Sequence, residues 1–221
     1  AQTGDEKDLG ASSSLKYIMQ SGVALSCDVA YRTVDLGNSD SGTTTRNLKT
    51  LFVGLGAERK FGLWNGRIRV GMDQAKEKVI GSSFGFWGTR NSLAGDAEVN
   101  FTPSEATRIG LLAGQHLLRS DIAPFATQKR MSLGVNVAHD FSKQLSAKIE
   151  GLYAVGKYEG VSFVSAGGSD KVTSIGMSGS YLFSDNWRFT AGYRHEIWKA
   201  DANLRASHNR NVLEVAAGAH F

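Results

Sequence analysis

Arg210 to Phe221 alternates strictly: Leu213, Val215, Ala217, Ala219 and Phe221 fall on one side of an extended chain, and Glu214, Ala216, Gly218 and His220 on the other. A period of two is the strand period, with successive side chains on opposite faces. The pattern recurs upstream. Val23, Leu25, Cys27, Val29 and Tyr31 oppose Ala24, Ser26, Asp28, Ala30 and Arg32. Met131, Leu133, Val135 and Val137 oppose Arg130, Ser132, Gly134 and Asn136, and Ile175, Met177, Tyr181 and Phe183 oppose Ser174, Gly176, Ser178 and Ser180. No apolar run approaches the roughly 18 residues of a membrane helix. The chain is all-β, and 221 residues suffice for one large domain. Its mean hydropathy of -0.22 describes either a soluble sandwich or a membrane barrel, because a barrel strand shows lipid only every second residue.

The alternation predicts about ten strands, with twelve as the alternative if 76–92 or 15–22 holds another hairpin. Trp64-Asn65-Gly66 reads as a hairpin turn, since Asn-Gly supplies positive φ. Connections near 62–66, 102–107, 141–144 and 183–186 are tight. Those near 36–47, 80–91, 120–128, 162–171 and 200–210 are longer and rich in Gly, Ser, Asn and Thr. Phe61, Trp64, Phe101, Phe141, Phe183, Trp187 and Phe221 lie beside the tight turns. Tyr31, Phe84, Phe86, Trp87, Tyr158 and Trp198 lie near the long connections. Aromatic rings settle at the two membrane interfaces.

These strands, the asymmetric connections and the final Phe221 resemble bacterial outer-membrane β-barrels, in architecture the small opacity/OmpA-like group. The resemblance implies a transmembrane antiparallel up-and-down β-barrel over 15–221, with short periplasmic turns and longer extracellular loops. Residues 1–14, polar and mixed in charge, read as a flexible periplasmic tail. An even strand count puts both termini on the periplasmic side. The resemblance also implies that Phe221 is part of the signal read by the barrel-assembly machinery, and that the chain sits in the outer membrane among lipid and lipopolysaccharide. Ala1-Gln2 fits an exported chain whose signal peptide has been removed.

With the apolar row outward, the enclosed row carries Asp28, Glu58, Arg67, Arg69, Asp73, Asp96, Glu98, Arg108, Arg130, Lys148, Glu150, Arg188, Arg194, Glu196 and Glu214. Enclosed charges are costly unless paired. The expected lumen is therefore largely occluded by Arg–Glu and Arg–Asp pairs, with a narrow passage along Ser174, Gly176, Ser178 and Ser180.

Function is less constrained. The net charge of +4 comes from scattered Lys and Arg with no stripe and no aromatic interleaving, so nucleic acid is not an expected partner. The single cysteine, Cys27, makes no internal disulfide and reads as a small apolar residue. Ser207 and His208 are adjacent, so their side chains diverge on a strand, and the histidines lack metal-ligand spacing. Neither the acid and histidine pattern of omptin proteases nor the triad of lipid-A deacylases is found. No enzyme activity, cofactor or metal is expected. The leading reading is a structural barrel or narrow small-solute channel. The alternatives are an adhesin or receptor binding a protein or glycan through Phe84, Phe86 and Trp87, and a subunit of a larger envelope assembly.

Overall fold

The structure, a computed structural model, describes residues 6–36, 45–80, 85–120, 122, 125, 127–159, 167–184 and 186–219. Among these the chain forms eleven strands: β1 (Glu6–Ile18), β2 (Val23–Leu36), β3 (Thr45–Phe61), β4 (Trp64–Ile80), β5 (Gly85–Ser104), β6 (Thr107–Arg119), β7 (Thr127–Asp140), β8 (Leu145–Tyr158), β9 (Gly168–Ser184), β10 (Trp187–Ala200) and β11 (His208–Ala219). They make one up-and-down sheet in chain order, each strand antiparallel to the next, with β1 and β11 as its edges.

The expected count of ten is one short, because residues 6–14 belong to β1 rather than to a tail. β1 is Ser-rich and shows little apolar contrast, so its register comes from pairing with β2, from Glu6↔Leu36 to Ile18↔Ala24. An odd count also corrects the placement of the two ends: Glu6 lies at the rim of the longer connections and Ala219 at the rim of the tight turns. β1 and β11 run in the same direction. The 80–91 segment is not a long loop, because β4 continues to Ile80 and β5 begins at Gly85.

The tight-turn rim is set by local chemistry. Gly22 at φ 78° closes β1 onto β2, with its N–H donated to the Met19 carbonyl at 2.9 Å. The β3–β4 turn is Gly62-Leu63, with Gly62 at φ 58°, and the expected Asn65-Gly66 pair lies inside β4. Pairing Phe61 with Trp64 and Trp64 with Phe101 explains the shift. It stacks Trp64 on Phe101 at 4.3 Å on the outward face, and moving the turn by two residues would break this contact. In the β7–β8 turn the Ser142 hydroxyl accepts the Gln144 and Leu145 N–H groups at 3.1 and 3.0 Å.

Burial separates the two faces. Leu133 is 59% exposed, Ile175 62% and Leu213 76%, whereas Ala75, Ala94 and Asp73 on the other row are at most 5% exposed. The apolar row is outward and the ionic row lines the concave face, the inverse of a soluble barrel. We expect Leu133→Arg to destabilise the lipid-assembled protein by about 2–4 kcal/mol, the cost of a cation at bilayer mid-depth. Denaturant titration in lipid vesicles would read this, and an unchanged midpoint would place this row in water.

Candidate functional site

All fifteen charges expected in the lumen lie on the concave row, and most find partners. Arg67 and Glu98 are register partners, as are Arg69 and Asp96, and they form ion pairs at 2.8 and 2.6 Å. Glu58 meets Lys16 at 2.7 Å, Arg108 meets Asp140 at 2.8 Å, and Lys148 meets Glu150 at 2.6 Å. Arg194 bridges Glu196 at 3.2 Å and Glu214 at 3.4 Å. Asp28 accepts the Ser26 hydroxyl at 2.8 Å. No ion pair within 4.0 Å joins Arg130 or Arg188 to a carboxylate among the described residues. Beside the Gly/Ser side of β9 there is a cavity of about 160 Å³ among Lys148, Glu150, Gly176, Ser178, Gly192 and Arg194. Gly176 faces Glu150 across one ladder and Arg194 across the other, and a Cβ there would stand 3.1 Å from the Glu150 Cγ.

The wall is not uniform. β5 stays paired with β4 up to Gly85↔Ile80, yet its ladder to β6 ends at Gly95↔Gln115. Beyond that point β6 leaves β5 while keeping β7 as far as Arg119↔Thr127. The end of the β6–β7 hairpin therefore swings inward over β2, β3 and β4. Leu117 is buried against Val34, Leu48 and Ala75, which all point into the concave face. The Leu117 N–H donates to Asp73 Oδ2 at 2.8 Å, and the Thr127 hydroxyl donates to the Glu77 carboxylate. His116 Nδ1 lies 3.3 Å from the same Asp73 oxygen, its Nε2 is 3.8 Å from Asp96, and its ring meets the edge of Phe52 at 5.8 Å. Gln115 Nε2 donates to the Leu93 carbonyl at 2.7 Å, serving a β5 acceptor where the ladder stops. Farther along, Arg119 interacts electrostatically with Asp8 on β1. Phe125 packs on Tyr158 of β8 at 5.4 Å, with Ile122 and Leu204 against them. The hairpin thus reaches both sides of the concave face.

This arrangement accounts for the blurred faces of Leu117-Leu118, whereas at Leu111-Leu112 β6 is still paired with β5 and Leu112 stands on the concave row opposite Glu98. Where β6 leaves the wall, its outward row turns to face the inner surface of β2–β4. Several residues at the hairpin are not singled out by the sequence reading: Glu77, Arg90, Thr127 and Gln128. Glu77 and Arg90 were within reach of it, since the alternation through Arg69 and Asp73 continues to Ala75 and Glu77, and that through Asp96 runs back to Ala94, Ser92 and Arg90. In the structure Arg90 Nε meets Glu77 at 3.0 Å, and the same guanidinium pairs with Glu159. At the rim, Arg205 pairs with buried Asp170 and lies 4.5 Å from the Trp198 ring, and the Tyr158 hydroxyl donates to Asp170 at 3.0 Å.

Of the loop candidates, Phe84 lies outside the described residues, as does Phe221. Phe86 and Trp87 are on strand β5 rather than on a loop. Trp87 is on the outward row opposite Lys78, whose Nζ sits 5.9 Å from its ring. Among the described residues no three of His, Cys, Asp and Glu are placed to share a metal ion.

The family model described as Putative beta-barrel porin 2 matches residues 87–220. Comparison with curated proteins gave no match. Solved structures share the fold at low identity. The FrpB iron transporter of Neisseria meningitidis (F3-3 variant) is 11% identical, with a TM-score of 0.66, over 91% of this chain and 37% of its own. The alcaligin outer-membrane receptor FauA of Bordetella pertussis is 13% identical, with a TM-score of 0.66, over 96% of this chain and 42% of its own. OmpT, an outer membrane protein of Vibrio cholerae, is 10% identical, with a TM-score of 0.52, over 98% of this chain and 96% of its own. The chain thus spans little more than a third of the transporter and about two fifths of the receptor.

Proposed function

Because the chain belongs to the Putative beta-barrel porin 2 family of outer-membrane β-barrels, we propose that it forms a narrow passage for small solutes in the bacterial outer membrane, with its width set by the β6–β7 hairpin. Open sheet edges are not viable in hydrocarbon, so this reading takes β1 and β11 to be paired in the membrane. The observation that carries it is the hairpin lying across the concave face, anchored by Leu117, Asp73 and Glu77. The facing charges support weak rather than strong ion selectivity, because Arg67–Glu98, Arg69–Asp96 and Arg194–Glu196 cancel one another locally.

Asp73 is the anchor to test. It is 5% exposed and accepts the Leu117 N–H. Removing an acceptor from a buried donor costs about 1–3 kcal/mol, which raises the population of a swung-out hairpin by roughly 5- to 150-fold. In planar bilayers Asp73→Ala should add a second, larger conductance level that is rare in the parent protein. A single unchanged level would show that the hairpin does not set the width.

A further inference from the structure

Where β6 leaves β5 it opens a cleft in the wall, and the cleft is basic. It measures about 460 Å³ and is lined by Arg90, Thr127, Lys129, Lys157 and Glu159. Lys129 and Lys157 are register partners, the last pair of the β7–β8 ladder; Lys157 is exposed on the outward row, and half-buried Lys129 stands at the opening between it and Leu117. Like charges directly opposite one another on a ladder are unfavourable. Among the described residues neither lysine has a carboxylate within ion-pair distance, and Glu159 is taken by Arg90. The next residues on the outward row, Met131 and Val155, border an apolar groove of about 560 Å³ floored by Gly95, Ala97 and Ala113 and walled by Leu133 and Tyr153. A cationic pair therefore caps a greasy groove on the outside of the wall, at the rim of the longer connections.

The same rim repeats the motif. Lys49 faces Lys76 and Lys171 faces Lys199 across their ladders, all four on the outward row. Rings also mark the opposite rim, among them Phe61, Trp64, Phe141 and Phe183. Among the described residues none of these six lysines pairs with a carboxylate within 4.0 Å, and three such pairs toward one rim fit a layer of fixed anions there.

We propose that Lys129 and Lys157, with the groove beneath them, bind a phosphorylated lipid of the outer leaflet, its phosphate between the two ammonium groups and an acyl chain against Gly95, Ala97 and Ala113. The proposal rests on the membrane-barrel reading and not on the channel reading. A free phosphate solute would satisfy the lysines but would leave the groove without a role, so the site is assigned to lipid.

The test is lipid binding to purified protein in detergent, read by native mass spectrometry, with lipopolysaccharide bearing both lipid-A phosphates, the same lipid dephosphorylated, and inorganic phosphate. The phosphorylated lipid should bind, and millimolar inorganic phosphate should compete poorly. Each lysine near an anionic surface contributes about a fivefold factor, so Lys129→Gln with Lys157→Gln should weaken binding by roughly 25-fold at low salt. Lys129→Arg with Lys157→Arg should retain binding, and Ala113→Phe should weaken it by filling the groove. In the unaltered protein the bound lipid should shield both amines from acylation, a readout independent of variant folding. Equal binding of the dephosphorylated lipid, full competition by inorganic phosphate, or unshielded amines would overturn the proposal. Flotation of the same preparation with lipid vesicles separates the two readings: protein that enters vesicles yet binds no phosphorylated lipid refutes this site alone, and protein that stays out refutes the barrel as well.

Discussion

Joining Gln115 to its register partner Met131 through a short Asn-Gly turn, and so removing the inward end of the β6–β7 hairpin, should convert a nearly closed passage into an open one. The hairpin is held by Leu117 burial and by hydrogen bonds to two carboxylates, Asp73 and Glu77. Hydrogen bonds to charged groups contribute about 1.5–3 kcal/mol each. Together these hold the closed arrangement over an open one by at least about a hundredfold. Deleting the segment leaves the ladder of β6 with β5 untouched, since it ends at Gln115, and takes from the ladder of β7 with β8 only its last two pairs, Lys129↔Lys157 and Arg130↔Gly156. Time-averaged conductance should then rise by about that hundredfold, and solute entry into liposomes should speed up in step. If the shortened protein assembles and conducts as the parent does, the passage lies elsewhere or is absent.

The second large effect is expected at Gly71. A Cβ at this position would stand 2.2 Å from the Val53 carbonyl oxygen and 2.9 Å from the Phe52 ring. The ring lies across Gly54 as well and touches the His116 edge, so this pair of glycines forms the slot that seats Phe52 beneath the hairpin. The contact at Gly71 is with backbone, which cannot rotate away. Gly71→Ala should destabilise assembly by about 3 kcal/mol or more, at or beyond the upper end of ordinary overpacking. Gly218→Ala, where the added carbon meets nothing within 4 Å, is the matched control. Refolding yield into vesicles should fall sharply for the first and stay unchanged for the second.

The rows of alternating residues carried most of the fold. Leu133, Ile175 and Leu213 stand outward as their period predicts, because a one-residue slip would exchange the two faces. The pairings Arg67 with Glu98 and Arg69 with Asp96 depend on register, which follows from the Phe61, Trp64 and Phe101 contacts at the turn rim. What the period could not show is where a strand leaves its neighbour. In β6, Leu111-Leu112 and Leu117-Leu118 disturb the pattern, yet nothing local says that Leu117 ends up on Val34, more than eighty positions away in the sequence. β1 escaped for a different reason: Ser12, Ser13 and Ser14 give neither face an apolar signature, so only the β2 ladder defines it. The Asn65-Gly66 signal was a sound local preference overridden by aromatic pairing.

The lumen, the hairpin and the lipid site all depend on which row meets hydrocarbon. Cys27, the single cysteine, lies on the outward row and is exposed, so it can carry a fluorophore without further change. In vesicles, nitroxide groups on the acyl chains should quench a probe on Cys27 strongly. In a Cys27→Ser background they should quench a probe at Leu133→Cys equally well and one at Ser132→Cys hardly at all. Strong quenching at position 132 with little at 27 and 133 would contradict the assignment of faces and the lumen, hairpin and lipid site that depend on it.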